Sequence, residues 1–399
     1  MSRRPATALM LAGVLLLALN VRPAVVSVGT ILNPLQRSLP MPAWELALLT
    51  AMPLIAYAVF SALATTAARI FGIHRVTLLS LIAIAIGQFA RALAADNWVF
   101  LFLSALALAG TATAATLLPS LVRRHFPHRT GATTALTGTA LGVGTVLATS
   151  LTPAITHSEG GWRTGVAVWG VLAVIAALPW LRLVGHDHTH HRTGPDLSAF
   201  RTLRTPLGWA LSVFFGIQAL QAYTVFAWFP SLWDRYGYTP GQAALFVALA
   251  AAVAVPVSYW VPAAAMRRRD PRAVVYAVVL CYPLAFGGLI LHPHGAALLS
   301  ALLIGLGMVG FPLALVLIGL RSRTARGTAA LAGSVQPVGY LLAALGPFGL
   351  GLLHLHTHGW KWPLAILVLL AVPQLLLAWY VGRPAYLEDQ LDLEPAARG

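Results

Sequence analysis

Residues 17–29 read LALNVRPAVVSVG, which places Arg22 and Pro23 inside an apolar segment. The surrounding stretch, residues 8–32, is otherwise apolar or small, and it is long enough to cross a hydrocarbon core of about 30 Å. On translocon-insertion scales, an arginine at the centre of a membrane helix costs about 2.5–3.5 kcal/mol. Proline also removes a backbone donor and frees an upstream carbonyl. We therefore expect Arg22 to face a bundle interior or an aqueous cavity rather than lipid.

The composition is that of an all-α membrane protein with many spans. Of 399 residues, 58% are hydrophobic and 9% are charged, whereas a typical soluble domain has roughly 25% charged residues. The single cysteine, Cys281, excludes an intrachain disulfide. The first apolar stretch is expected to be a retained helix and not a signal peptide. The apolar runs predict twelve transmembrane helices, at residues 8–32, 45–68, 75–95, 98–122, 131–156, 162–183, 207–233, 241–265, 272–291, 295–320, 327–353 and 361–382.

The basic residues are unevenly distributed between alternate loops. Most of the 26 Lys and Arg residues fall in segments on the same side as both termini. The others, in spans or in the opposite loops, are Arg22, Arg37, Arg91, Arg163, Arg235 and Lys361. The positive-inside rule therefore predicts cytoplasmic termini in the inner, cytoplasmic membrane of the cell. The net charge of +15 is then a property of loops that set topology, and no nucleic-acid partner is expected.

The chain looks doubled. GGWR at 160–163 returns as HGWK at 358–361, HRTG at 128–131 aligns with TARG at 324–327, and Pro34 aligns with Pro230. The offsets are 198, 196 and 196 positions. This predicts two pseudo-symmetric six-helix bundles, 1–183 and 207–399, joined by a cytoplasmic linker at 184–206, with a short cytoplasmic tail after the second. Parallel six-helix repeats are an architecture of the major facilitator fold, whose substrate site lies between the halves.

Three stretches resemble the cyanate and 2-nitroimidazole transporter branch of the major facilitator superfamily. They are LNVRPAVVSVG at 19–29, LLPSLVRRHFPHRTG at 117–131 and FFGIQALQAYTVFAWFPSLWDRYGYTP at 214–240, and the likeness covers nearly the whole chain. The resemblance implies a transporter of this fold. Two positions depart from the family pattern. Arg69 stands at the aspartate position of the loop motif after span 2, and Ala115 stands where relatives tend to carry asparagine. The resemblance therefore leaves the substrate open.

Arg22 has no evident carboxylate partner in the sequence. The 11 Asp and Glu residues are all predicted in loops or at span ends. The expected partner of the guanidinium is thus an anion, or a strongly electronegative group, delivered from water. The alternative is a structural arginine held by helix-end carbonyls, or by Glu45 or Asp234 near the outer face.

Span 7 is the repeat partner of span 1, and an offset of 196 places Gln218 opposite Arg22. Gln218, Gln221 and Trp228 share one helix face by their spacing. We predict that the two glutamines orient a substrate and that Trp228 walls the pocket. The alternative is that the glutamines hold neighbouring helices together, at about 0.6 kcal/mol per contact.

Three further polar residues are weaker candidates for substrate contact. Tyr57 lies in span 2, and Gln336 and Tyr340 lie four residues apart in span 11, on a common face. Packing explains each of them equally well.

The histidine-rich stretches HDHTHH at 186–191 and HLHTH at 354–358 lack the cysteine spacing of zinc sites. We interpret the first as a spacer and predict no metal and no cofactor. Catalytic motifs are also absent, which disfavours an enzyme.

These observations predict a secondary transporter for a small polar solute, anionic or electronegative, that works by alternating access as a monomer in the lipid bilayer. Multidrug efflux by the same fold is the alternative. A membrane-embedded enzyme would need a reactive cluster, and a sensor would normally carry a soluble output domain. Neither is visible in the sequence.

Overall fold

The computed structural model describes residues 3–156, 161–186, 199–268 and 270–391. All regular structure in these ranges is helical, as the sequence predicts. Most of the predicted linker, residues 187–198, lies outside them, and so do His188, His190 and His191. The boundaries of the predicted halves and the spacer role of these histidines therefore stay predictions.

The twelve predicted spans are confirmed. Within the described ranges, twelve helices are long and apolar enough to cross a membrane. They run over Ala8–Thr30, Ala43–Phe71, Ile73–Ala92, Asn97–His125, Ala132–Thr156, Gly161–Leu183, Pro206–Arg235, Pro240–Met266, Arg272–Leu291, Ala297–Leu320, Ala330–Thr357 and Lys361–Val381, and are called spans 1 to 12 below.

Four spans are interrupted along their length. Span 1 consists of Arg3–Asn20 and Pro23–Thr30, followed by a short helix at Leu32–Ser38. The segments of span 10 are Ala297–Met308 and Gly310–Leu320, and those of span 12 are Lys361–Leu369 and Ala371–Val381. Span 11 is formed by a helix at Ala325–Leu345, a π-helical turn at Gly346–Leu350, and a helix at Gly351–Thr357. Short helices at the span ends cover Pro127–Arg129, Val184–His186, Ala199–Thr202 and Leu387–Gln390.

The break in span 1 falls at Arg22 and Pro23. The helix ends at Asn20, and a new one starts at Pro23 with Arg22 as its cap residue. Pro23 has no N–H to continue the ladder of the first helix. The new helix begins with Val25 and Val26, whose N–H groups both donate to the carbonyl of Arg22, each at 3.0 Å. The Asn20 side chain fixes the break by donating to the carbonyls of Leu16 (2.9 Å) and Leu172 (3.3 Å). The first helix therefore ends next to Arg22, and the Arg22 side chain extends from this break into the bundle.

The first six and last six spans meet tightly at the end of the bundle nearest residue 30. Gly29 of span 1 lies so close to span 7 that an added Cβ would overlap the backbone oxygen of Phe226. Asn33 donates to Asp234 at 2.9 Å. Thr50 of span 2 donates to the carbonyl of Pro347 in span 11 at 3.3 Å. We call this the outer end, because the charge pattern predicts that it faces away from the cytoplasm.

The predicted orientation is tested by thiol labelling in intact cells. In a Cys281→Ala background, a cysteine at Thr193, in the predicted linker, should react with an impermeant maleimide only after the cells are permeabilised. A matched cysteine at Arg37, on the predicted outside, should react in intact cells. Labelling of the Thr193 position in intact cells would overturn the assignment.

Candidate substrate site

A large cavity of about 2420 Å³ lies between the two sets of six spans. Its wall is formed by residues of spans 1, 2, 4 and 5 from the first six and of spans 7, 8, 10 and 11 from the last six. It reaches from Arg22 to the opposite span ends at Arg69, Arg123 and Met266. Because the outer end is closed, the cavity extends from the membrane interior toward the predicted cytoplasmic side.

Arg22 lies on the wall of this cavity beside a tyrosine from the other set of spans. Its Nη1 donates to the hydroxyl oxygen of Tyr223 at 3.4 Å, and its guanidinium carbon lies 5.9 Å from the centroid of the same ring. A cation near the face of an aromatic ring is attracted by the ring's quadrupole. The contact joins span 1 to span 7, so the arginine lies where the first six and the last six spans meet.

Three tyrosines surround the guanidinium. The rings of Tyr57 and Tyr340 stack with centroids 5.1 Å apart, and Tyr223 meets Tyr57 edge-on at 6.2 Å. The three hydroxyls come from spans 2, 7 and 11, and each can donate or accept a hydrogen bond. Arg22 and these tyrosines therefore form a compact polar cluster on the cavity wall.

Phenylalanines behind the cluster hold Tyr340 in place. Phe215 meets the Tyr340 ring edge-on at 5.0 Å, and Phe311 lies 6.4 Å from the same ring. Phe215 and Phe311 also contact each other, with centroids 5.2 Å apart. Gln336 lies one turn before Tyr340 and also lines the cavity. The cluster is thus positioned by packed aromatic side chains and not by a loop.

The two carboxylates that a structural role for Arg22 would use, those of Glu45 and Asp234, bond to other residues. The Glu45 carboxylate accepts a hydrogen bond from Asn97 at 3.0 Å, and the Asp234 carboxylate accepts one from Asn33. Among the described residues, no carboxylate pairs with Arg22. The guanidinium therefore presents its remaining donors to the cavity.

The structure places four of the seven predicted contact residues on the cavity wall: Arg22, Tyr57, Gln336 and Tyr340. Gln218, Gln221 and Trp228 are buried elsewhere in span 7. Gln218 lies against Gly310 of span 10. The Trp228 Nε1 donates to the carbonyl of Pro347 at 2.9 Å, and its ring contacts His354 and Trp360 toward the outer end. In this conformation, substrate contact by these three residues stays a prediction.

The face of span 7 that lines the cavity is a different one from the glutamine face. It carries Ala222, Tyr223 and Phe226. Tyr223 is two residues from Gln221, which corresponds to about 200° around a helix. The sequence signal for this face was the spacing of Tyr223 and Phe226, three residues apart on a common aromatic face.

Several histidines in the described residues contact aromatic rings or one another. The His354 ring stacks on Trp360 with centroids 3.9 Å apart, and His74 contacts His125 with their Nε2 atoms 3.0 Å apart. Within the described ranges, no group of three or more His, Cys, Asp or Glu side chains is arranged to hold a metal ion.

The family model that describes the Major Facilitator Superfamily matches residues 10–347. The chain belongs to the major facilitator superfamily. It is therefore a multi-pass membrane transporter of a small molecule and not an enzyme.

Relatives that match most of the chain agree with the resemblance seen in the sequence. The chain is 32% identical to the uncharacterized transporter YycB of Bacillus subtilis (strain 168), over 95% of this chain and 94% of that protein. It is 29% identical to the 2-nitroimidazole transporter of Escherichia coli (strain K12), over 94% and 95% of the two chains. For the cyanate transport protein CynX of the same strain, the identity is 28%, over 86% and 89%. The chain is a transporter of the branch that contains these proteins.

A comparison with solved structures confirms the predicted fold class. The structure superposes with a TM-score of 0.77 on a bacterial homologue of the lysosomal transporter Spinster in an inward-facing, unoccupied conformation. The two chains share 16% identity, and the match covers 98% of this chain and 99% of the other. At this identity the likeness shows the fold alone.

Proposed function

We propose that this protein moves a small, polar, anionic or electronegative solute, of the cyanate or nitroimidazole kind, across the cytoplasmic membrane by alternating access. The observation that supports the proposal is the Arg22 guanidinium, which has no carboxylate partner among the described residues and lies among Tyr57, Tyr223 and Tyr340. The names of two relatives, a 2-nitroimidazole transporter and a cyanate transport protein, point to the same chemical class.

The chemistry of the cluster suits such a solute. A guanidinium offers five N–H donors in a planar fork, which matches two oxygens of a carboxylate or nitro group. Three tyrosine hydroxyls add donors and acceptors around it, and their rings offer flat faces to a planar ligand. A cationic solute would instead meet the positive charge of Arg22 at close range.

The position of the cluster suits alternating access. Arg22 and Tyr57 belong to the first six spans, whereas Tyr223 and Tyr340 belong to the last six. A solute held among them is contacted by both halves, so their rocking would expose it to one side and then the other. Among the described residues, no acidic side chain lines this cavity. Facilitated diffusion, exchange and transport of the protonated solute are all consistent with the site.

The alternative of multidrug efflux gains no support from the comparisons. The proposal needs Arg22 and the three tyrosines. Gln218, Gln221 and Trp228 enter it as residues that orient or enclose the solute, as the sequence predicts. In the conformation described here they lie away from the cavity wall.

The experiment is ligand-induced thermal stabilisation of the purified protein. We expect 2-nitroimidazole, cyanate and nitrate to raise the melting temperature. Imidazole, which lacks the nitro group, and methylammonium, which is a cation, should not do so at the same concentration and ionic strength. Ligand at a hundred times its dissociation constant stabilises a folded protein by about 2.7 kcal/mol, which such a scan resolves. Equal stabilisation by imidazole or methylammonium would refute the proposed solute class.

A further inference from the structure

A second arginine is buried in the membrane region without a full set of partners. Arg91 lies near the outer end of span 3 and has no exposed surface. Its Nη2 donates to the carbonyl of Ala24 at 3.4 Å, whereas Nε and Nη1 have no hydrogen-bond partner among the described residues. A buried donor that lacks an acceptor is costly, and more so when it is charged. A purely structural arginine would be expected to place more of its nitrogens on carbonyls or carboxylates.

Arg91 borders a small cavity that is distinct from the large one. Its volume is about 20 Å³, enough for about one water molecule. Thr50, Ser104 and Arg91 supply polar atoms to its wall. The Ser104 hydroxyl is also fully buried and has no hydrogen-bond partner among the described residues. Donors from spans 3 and 4 therefore border a space that the described side chains leave unfilled.

The small cavity lies on the junction between the two halves, beyond the central site. Spans 1 to 4 form one side of it, and Tyr223, Phe226 and Ala227 of span 7 form the other. Tyr223 and Phe226 also line the large cavity. These two side chains therefore separate the two cavities. Arg22 lines the large cavity on one side of them, and Arg91 lines the small cavity on the other side. Thr50, which lines the small cavity, also bonds to Pro347 in the closed outer junction.

We propose that Arg91, with Ser104 and Thr50, forms an outer subsite for small anions or nitro compounds, which the solute occupies between the outside and Arg22. The inference rests on the proposed alternating access, because separation of the outer ends of spans 1 and 7 opens the small cavity to the outside. In the closed conformation seen here the subsite is contracted to the size of one water. Arg91 then concentrates electronegative solute on the outer path, and Tyr223 with Phe226 separates the two positions.

The test uses charged thiol reagents and needs no transported solute. In a Cys281→Ala background, Ser104→Cys places a thiol in the wall of the small cavity, which Arg91 also lines. Whole cells are treated from outside with the anionic sulfonatoethyl methanethiosulfonate or the cationic trimethylammonioethyl methanethiosulfonate, and the two rates are expressed as a ratio. The ratio of anionic to cationic rate should fall about tenfold when Arg91→Gln is added. Arg91→Lys keeps the charge and should retain most of the ratio, which separates charge from folding effects. Nitrate should slow the anionic reagent relative to chloride at equal ionic strength, and only when Arg91 or Lys is present.

An unchanged ratio in Arg91→Gln, no protection by nitrate, or no reaction from outside with either reagent would each overturn the subsite. These outcomes are distinct from a failure of the proposed function. If nitro compounds and anions fail to stabilise the purified protein while the ratio still depends on Arg91, the outer anion subsite stands and the assignment of the central solute falls.

Discussion

Replacing Gly29 with valine should hold the outer ends of spans 1 and 7 apart and reduce transport at least tenfold. A Cβ at Gly29 would overlap the backbone oxygen of Phe226 and touch that of Ala227. Backbone atoms within helices cannot move aside as a flexible side chain can. Overpacking of this kind typically costs about 1–3 kcal/mol, which shifts a conformational equilibrium by about 5- to 150-fold. In the proposed alternating-access cycle, loss of the closed outer junction removes the inward-facing conformation.

Labelling from outside measures this shift directly. In the Cys281→Ala background, a cysteine at Thr50, which is buried in the closed junction, should react faster with an impermeant reagent when Gly29→Val is present. Gly287→Val is the matched control, because a Cβ at Gly287 of span 9 meets no atom within 4 Å and the residue does not line the cavity. That control should leave both the labelling rate and transport near the parent values. If Gly29→Val labels no faster than the parent, the outer junction is not closed by this contact.

The architecture was accessible from the sequence because long apolar runs and loop charges are local signals. A run of about 20 apolar residues can be read without knowing its neighbours, so the twelve spans could be placed to within a few residues. The inward direction of the Arg22 side chain also followed from a local argument, since a charge in lipid is costly wherever the helix stands. The structure then adds the break at Pro23 as the physical means by which Arg22 leaves the helix.

The face of span 7 that lines the cavity could not be read in the same way. The spacing of Gln218 and Gln221 shows that they share a face, but which face meets the cavity depends on the neighbouring helices. Gln218 is accommodated by Gly310 of span 10, and that contact is invisible in one sequence. Tyr223 could not be singled out because its hydrogen-bond partner, Arg22, is 201 positions away in the sequence.

The burial of Arg91, near the end of a span, could not be predicted from the sequence either. The sequence placed span 3 at residues 75–95, whereas the helix covers Ile73–Ala92, and the outer end of a span is a common place for an arginine. The structure turns its side chain inward to the carbonyl of Ala24 in span 1. Burial of this residue depends on the packing of spans 1, 3 and 4, which no local pattern encodes.

The second large effect is expected at Arg22. Arg22→Ala should weaken the binding of 2-nitroimidazole and cyanate about thirtyfold or more, since truncating one partner of a buried, charge-assisted contact costs about 2–5 kcal/mol. Arg22→Lys keeps the charge but loses the planar fork, so its affinity should lie between those of the alanine variant and the parent. Tyr223→Phe removes only the hydroxyl that accepts from Arg22 Nη1, and it should weaken binding less than Arg22→Ala does.

A structural role for Arg22 would produce a different pattern. Its side chain has no carboxylate partner among the described residues, so its loss should not strand a buried charge of opposite sign. The variant is therefore expected to insert, purify and melt close to the parent in the absence of ligand. A structural arginine would instead lower the yield or the melting temperature when it is replaced.

The most direct measurement is the dissociation constant of 2-nitroimidazole and of cyanate for purified parent and Arg22→Ala, with the ligand-free melting temperature of each protein measured alongside. The account predicts that the alanine variant melts within a few degrees of the parent and has lost about thirtyfold or more in affinity for both ligands. A folded Arg22→Ala protein that binds them with the affinity of the parent would contradict it.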